Sequence, residues 1–290
     1  MAPLRAYAQT KGVNDSMKQT LHIEVKTELI GIASEIVYWQ KPYWCNANMR
    51  QLKLSIIRPR HWYDYDRKGK KNPVILFICG GGFAKQDINV WNAELAYFAK
   101  HGYAVATAEY STLPFTKWPE QIEELKCAVR YLRANAEMFD LDVSKIAVMG
   151  ESAGGYLAAC LAVTNGDSRY EVGEHLDQSS RVDCVVPWWP VIDLSNQESF
   201  FNMDMTGFVN CAALVTNDTP PMCIFHGTTD HLVPHWHSEM MYDALQAHHV
   251  ESELYLIEGA DHADMKILQD ENKERMLYFL DRHMRNTEMQ

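Results

Sequence analysis

Val148-Met149-Gly150-Glu151-Ser152-Ala153-Gly154-Gly155 is an apolar run that breaks into a serine set between glycines, and it resumes as Tyr156-Leu157-Ala158-Ala159. The pattern predicts a strand, a tight turn and a helix. A G-x-S-x-G turn in that context holds its serine at a strained corner, where Gly150 and Gly154 avoid contacts a Cβ would make. The hydroxyl then stands clear of the sheet. A serine alcohol is a weak nucleophile alone, so the turn has chemical meaning only beside a histidine base, an acid to orient it and amide donors for an oxyanion. Without those partners the same letters describe a plain Gly/Ser-rich turn.

Apolar segments on both sides of the turn alternate between two periodicities. Residues 73–79, 103–108, 145–149, 182–186, 222–226 and 253–257 are predicted strands, and 90–100, 119–137, 153–163, 238–247 and 265–283 are predicted helices. Residues 35–39 and 51–57 resemble an antiparallel pair at a sheet edge. The rhythm predicts an α/β fold of three layers, with a mostly parallel central sheet of about eight strands and helices on both faces. One domain over 35–290 follows, preceded by an arm over 1–34 that includes a short helix around 15–25. Residues 193–220, with Phe200, Phe201, Met203, Met205 and Phe208, are too apolar for a plain solvated loop and read as a cap over the site. An ordinary surface excursion with core-filling aromatics fits them as well.

The hydrophobic fraction of 47% is enough for a large core and excludes a disordered chain. A formal charge of −11 repels phosphate backbones and anionic lipid, so neither nucleic acid nor a membrane surface is an expected partner. Seven cysteines form no C-x-x-C pair, and Cys79, Cys160, Cys184 and Cys223 fall in apolar segments, as buried free thiols would. With no apolar leader in the first residues and no run of about 18 apolar residues, a cytoplasmic chain is expected; a secreted form after leader removal would read the same. The oligomeric state is open.

Three further segments supply what the serine turn needs. Cys79-Gly80-Gly81-Gly82-Phe83 ends the first central strand, and its backbone freedom lets the amides of Gly81 and Gly82 join that of Ala153 as oxyanion donors. The strand 222–226 runs into Gly227-Thr228-Thr229-Asp230, and the strand 253–257 into Glu258-Gly259-Ala260-Asp261-His262. Ser152, Asp230 and His262 therefore leave the same sheet edge, where ligands gather in open α/β folds. Asp193 is the rival acid, while Asp261 and Asp264 are too near His262 in the chain to orient its ring. His231, His235 and His237 form no metal-binding spacing, because Pro234 interrupts them and no H-E-x-x-H is present. No metal or other cofactor is expected.

With these residues in order, the chain resembles the α/β-hydrolase superfamily, in the branch of small carboxylesterases that carry H-G-G-G and G-x-S-x-G. The likeness runs from about residue 52 to 280. It rests on Cys79 to Phe83, Glu109-Tyr110, Trp118-Pro119-Glu120-Gln121, Gly150 to Gly155, His226 to Asp230 and Gly259 to His262. It implies Ser152 as nucleophile, His262 as base and then acid, Asp230 as orienting carboxylate, and Gly81, Gly82 and Ala153 as oxyanion donors. A narrower similarity, to bacterial feruloyl and acetyl-xylan esterases, implies aryl or acetyl esters of plant polysaccharides as substrates. Three positions depart from the branch: Cys79 stands for histidine, Ser111 for arginine and Glu124 for aspartate. A thiol makes weaker hydrogen bonds than imidazole, so the glycine loop must be held in another way.

For the acyl or sugar group, Phe83, Trp188 and Trp189 are candidates for an aromatic wall, and core packing explains either tryptophan equally well. The expected partner is a small-molecule or saccharide ester. An amidase or peptidase on the same fold and a non-catalytic binding protein are the alternatives.

Overall fold

A computed structural model describes residues 20–24, 26–43, 48–60, 69–84, 87–195, 199–200 and 203–285. In chain order the sheet elements are β1 (Ile30–Tyr43), β2 (Asn48–Pro59), β3 (Asn72–Ile78), β4 (Ala104–Ala108), β5 (Leu141–Glu151), β6 (Cys184–Trp188), β7 (Ser199–Phe200), β8 (Met203–Asp204), β9 (Met222–Gly227) and β10 (Ser252–Ile257). The helices are α1 (Asn92–Lys100), α2 (Glu120–Ala134), α3 (Ala153–Val163), α4 (Trp236–Ala247) and α5 (Asp270–Met284).

Strand β3 shows why the sheet is central. Val74, Leu76 and Ile78 point into one apolar cluster and Ile75, Phe77 and Cys79 into another, so both faces of one continuous apolar run are covered. The first cluster takes Ile122, Leu125, Val129 and Leu132 of α2, most of α3, and Met241 and Leu245 of α4. The second takes Leu95 and Phe98 of α1 and Met276, Phe279 and Leu280 of α5. Each such aliphatic or aromatic side chain contributes about 1.5–3 kcal/mol by leaving water. The eight-stranded sheet runs β1-β2-β4-β3-β5-β6-β9-β10, antiparallel at β1, β2 and β4 and parallel from β4 onward. The predicted three-layer architecture is therefore present.

Some boundaries differ. β1 begins at Ile30, inside the stretch read as an arm, and pairs Ile30 with Pro59. Its register shifts between Ala33 and Ile36, where Glu35 takes a φ of 60°, and that irregularity hides the strand's first part from a period-two reading. The arm helix expected over 15–25 lies mostly outside the described residues, and its described part, 20–24, carries no regular structure. The closing helix is preceded by a separate turn at Met265–Leu268, opened by the Asp264 carboxylate accepting from the Lys266 amide and ended by extended Gln269.

Within 193–220, β7 and β8 pair antiparallel and Asp193 bridges to Asn210. Met205 and Phe208 are buried in the same cluster as α3, with Phe208 against Phe83, Trp118 and Tyr156. The Tyr156 hydroxyl donates to the Val209 carbonyl, and Cys211 Sγ lies 3.0 Å from Cys160 Sγ. The segment is seated on the domain by its own apolar side chains. Phe201 lies outside the described residues, as does Cys45; the other six cysteines are free and buried.

Candidate active site

Ser152 sits between the end of β5 and the start of α3 with φ 54° and ψ −120°, a conformation that L residues rarely adopt. The strain is held by backbone contact. The Ser152 amide donates to the Trp188 carbonyl at 3.0 Å, and α3 starts so close to β3 that a Cβ on Gly154 would stand 2.1 Å from the Ile78 carbonyl oxygen. A Cβ on Gly150 would stand 2.5 Å from the Gly154 carbonyl oxygen. Only glycine fits at either side of the serine.

Asp230 and His262 arrive on loops that leave β9 and β10, two adjacent parallel strands. The loops are braced together: Thr229 donates to the Ala260 carbonyl through both its amide (3.0 Å) and its hydroxyl (2.9 Å), and Asp261 accepts from the His231 amide at 3.0 Å. A Cβ on Gly227 would stand 2.2 Å from the Ala260 carbonyl oxygen, so the two loop bases lie in backbone contact. This crossing brings His262 Nδ1 to 2.7 Å from Asp230 Oδ2 and His262 Nε2 to 3.0 Å from Ser152 Oγ. The carboxylate only accepts, so Nδ1 carries the ring proton and Nε2 is open to the serine hydroxyl.

Asp230 is tightly satisfied. Burial would raise its pKa, but hydrogen bonds from His226 and His262 and from the Val233 amide prevail and hold it well below the usual carboxylate range. His226, wholly buried at the end of β9, places Nε2 3.2 Å from Asp230 Oδ2 and 2.8 Å from the Val233 carbonyl, while Nδ1 lies 2.6 Å from Ser238 Oγ. The rival acid is elsewhere: Asp193 Oδ1 accepts from the Ser195 amide and hydroxyl. Asp264 Oδ1 accepts from the Lys266 amide.

The glycine loop lies beside the serine, with Gly81 at φ 104° and Gly82 at φ 60°, both conformations that favour glycine. Ala153, the first residue of α3, has one of the helix's initial amides, which find no partner inside the helix. Cys79 is buried, and burial pushes its thiol pKa up, so it is no charged contact. The loop is held instead by Glu151 and Tyr110, motif residues to which the sequence alone assigns no role. The Gly80 amide donates to Glu151 Oε1 at 2.5 Å, and the Tyr110 hydroxyl donates to the Cys79 carbonyl at 2.9 Å. Tyr110 is itself next to Ser111, whose amide and hydroxyl both donate to buried Glu124, and Glu124 pairs with Lys41 of β1 at 2.6 Å. The cation that Ser111 does not supply is thus supplied across the sheet edge.

Phe83, Trp188 and Trp189 are each wholly buried, so none presents a surface to a ligand in this conformation. Their burial agrees with the core-packing alternative for these aromatics. Phe83 packs edge-on against Tyr156 and Phe208, Trp188 packs against Phe77 and Trp91, and Trp189 lies behind His262 with ring centres 6.1 Å apart. Among the described residues no group of three His, Cys, Asp or Glu side chains is placed to hold a metal ion. His231 instead pairs with Asp261 at 3.0 Å, and His237 is buried, its Nδ1 accepting from the amides of Ile192 and Asp193.

A family profile, BD-FAE, matches residues 62–206, half of the 290-residue chain. The chain belongs to the BD-FAE family. Esterase LipC of Mycobacterium tuberculosis is 26% identical to it over 206 residues, covering 64% of this chain and 51% of LipC. Endo-1,4-beta-xylanase B of Butyrivibrio fibrisolvens is 28% identical over 192 residues, 61% of this chain and 30% of the xylanase. Among solved structures, the thermophilic esterase Est2 of Thermogutta terrifontis superposes with a TM-score of 0.70 at 25% identity, over 87% of this chain and 92% of Est2. The three-layer domain is thus an α/β-hydrolase fold. The chain spans about half the length of the curated relatives it matches. The BD-FAE match covers β3, the glycine loop and the serine turn but stops before Asp230 and His262, which the sheet topology brings back to the same edge. His226, Glu151 and Tyr110 stand inside motifs that carry the family likeness, but only their contacts in the fold give each a place in the site.

Proposed function

We propose that this BD-FAE protein is a serine-dependent carboxylic ester hydrolase that works through an acyl-enzyme. The supporting observation is the continuous hydrogen-bonded chain from Ser152 Oγ through His262 to Asp230. His262 Nε2 takes the serine proton as Oγ attacks the ester carbonyl, and Asp230 holds the ring in the tautomer that makes this transfer available. The developing oxyanion is received by the amides of Ala153, Gly81 and Gly82, each such donor contributing roughly 3 kcal/mol in the transition state. His262 then protonates the leaving alcohol, and water repeats the sequence on the acyl group with the same residues in reversed roles.

Aryl or acetyl esters of plant polysaccharides are the proposed substrates, supported by the likeness to a xylanase and by the feruloyl and acetyl-xylan esterase resemblance of the motifs. The test is hydrolysis of nitrophenyl esters of graded chain length, methyl ferulate and acetylated xylan by the wild type and by Ser152→Ala. Wild-type turnover that falls at least about 10⁴-fold in the variant is expected. Undiminished turnover by Ser152→Ala would sink the mechanism. Turnover of nitrophenyl esters with none of ferulate or acetylated xylan would sink the substrate class alone, and equal turnover of the matching anilides would favour an amidase.

A further inference from the structure

Glu151 occupies the variable position of the serine turn, where neither the strain of the turn nor the proposed chemistry requires a carboxylate. It is 8% exposed. Its Oε1 accepts from the Gly80 amide at 2.5 Å and from Trp91 Nε1 at 3.2 Å, and its Oε2 accepts from Trp189 Nε1 at 3.3 Å. All three partners donate and none can accept, so the group they fit is the carboxylate anion. Burial prevails and holds its pKa above the usual carboxylate value, while these bonds and the attraction of His262 act in the opposite direction. An anion in an apolar setting is costly unless it is well bonded, and here N–H groups carry that task.

Gly80 immediately precedes the two proposed oxyanion glycines, and Glu151 immediately precedes the serine. One side chain therefore sets the distance between the loop and the nucleophile. The fit leaves no slack: a Cβ on Gly80 would stand 2.6 Å from Glu151 Oε2. From the other side, the Tyr110 hydroxyl fixes the Cys79 carbonyl. The same carboxylate also holds the indole of Trp189, which lies beside the His262 ring.

We infer that Glu151 is a positioning residue that fixes the glycine loop, and through Trp189 the space beside His262, in the geometry that receives the oxyanion. It touches no reacting atom. The inference rests on the hydrolase reading above, and it adds a carboxylate to the residues that reading uses.

Glu151→Gln tests it, because an amide facing three N–H donors must turn its own NH2 toward at least one of them. The expected result is a fall in kcat of about 100-fold with KM within about threefold, since the loop matters most when the oxyanion forms. Affinity for a trifluoromethyl ketone, whose hemiketal carries an oxyanion, falls in step with kcat/KM, while inhibition by the product alcohol is unchanged. Glu151→Asp, which keeps the charge one methylene farther back, recovers part of kcat. It also serves as the measured variant if the glutamine form does not fold. Deuterium uptake over residues 79–84 rises about tenfold in the variant and stays constant in α5; this readout needs no turnover. The inference is overturned if kcat stays within threefold of wild type, if product-alcohol affinity falls together with kcat, or if loop exchange is unchanged. An inactive wild type, or an active Ser152→Ala, would instead overturn the hydrolase reading, and the exchange measurement would still judge Glu151.

Discussion

Asp230 has little freedom in its position. Oδ2 is shared by two histidines, and Oδ1 accepts from the amides of Leu232 and Val233 at 2.9 and 2.8 Å. The Val233 carbonyl beside His226 Nε2 can only accept, so the proton sits on Nε2 and that ring faces Asp230 as a donor. Replacing Asp230 with Asn puts an NH2 where only acceptors fit. Asp230→Asn is expected to lower kcat roughly 10³ to 10⁴-fold, measured on a nitrophenyl ester, whereas Asp193→Asn stays near wild type. If Asp193→Asn alone lost that activity, the assignment of the acid would be wrong. The depressed pKa also gives a sign for the acid range. Because the folded value lies below the unfolded one, near 4, Asp230 contributes stability above about pH 4 that is lost only as pH falls toward the folded value. A loss of activity on going from pH 7 to 5 therefore does not come from Asp230.

At the level of elements, the helix after the Asp230 loop is tied to the segment after β6 by another histidine. His237, in α4, accepts through Nδ1 from the amides that follow β6, Ile192 at 3.3 Å and Asp193 at 3.4 Å. A proton on Nδ1 would point at two N–H groups, and burial, with repulsion from His226, pushes the pKa from 6.5 down to about 4. As pH falls the unfolded chain takes up the proton first, so this contribution to stability is lost between about 6.5 and 4. The urea midpoint is expected to drop from pH 7 to pH 5, and His237→Asn, which keeps an acceptor, should flatten that drop; an unchanged slope would count against it. The elements themselves were largely legible in sequence, because a central strand such as β3 is apolar on both faces and a helix such as α2 on one. The proposed serine, acid and base were legible because each follows a strand at the same edge. The role of Glu151 was not, since the turn's sterics leave its position unconstrained and its partners Gly80 and Trp91 are about 60 to 70 residues away in the chain. The two readings of the tryptophans stayed open for a related reason. Composition shows an aromatic near the site but not whether the site or the core claims its face.

Across the whole molecule, the edge strand and the site belong to one connected frame. β1 is far from the serine in sheet order, yet Lys41 on it neutralises wholly buried Glu124, which holds Ser111 and so the tyrosine that braces the glycine loop. Removing one partner of a buried pair leaves the other charge uncompensated. Lys41→Met should cost about 3 kcal/mol in urea unfolding at pH 7; a loss below about 1 kcal/mol would mean that solvent replaces the lysine. The crossing of the serine turn over the end of β3 bears, finally, on how such a molecule can be changed. At Gly154 and Gly227 an added Cβ would meet backbone oxygen, at 2.1 and 2.2 Å, and no side chain can repack to relieve that. A gene library that randomises these crossings fills with chains that do not fold. Change is tolerated instead at exposed positions in and after the same loops, such as Leu232, Trp236 and Met265, where a side chain has room for a different shape.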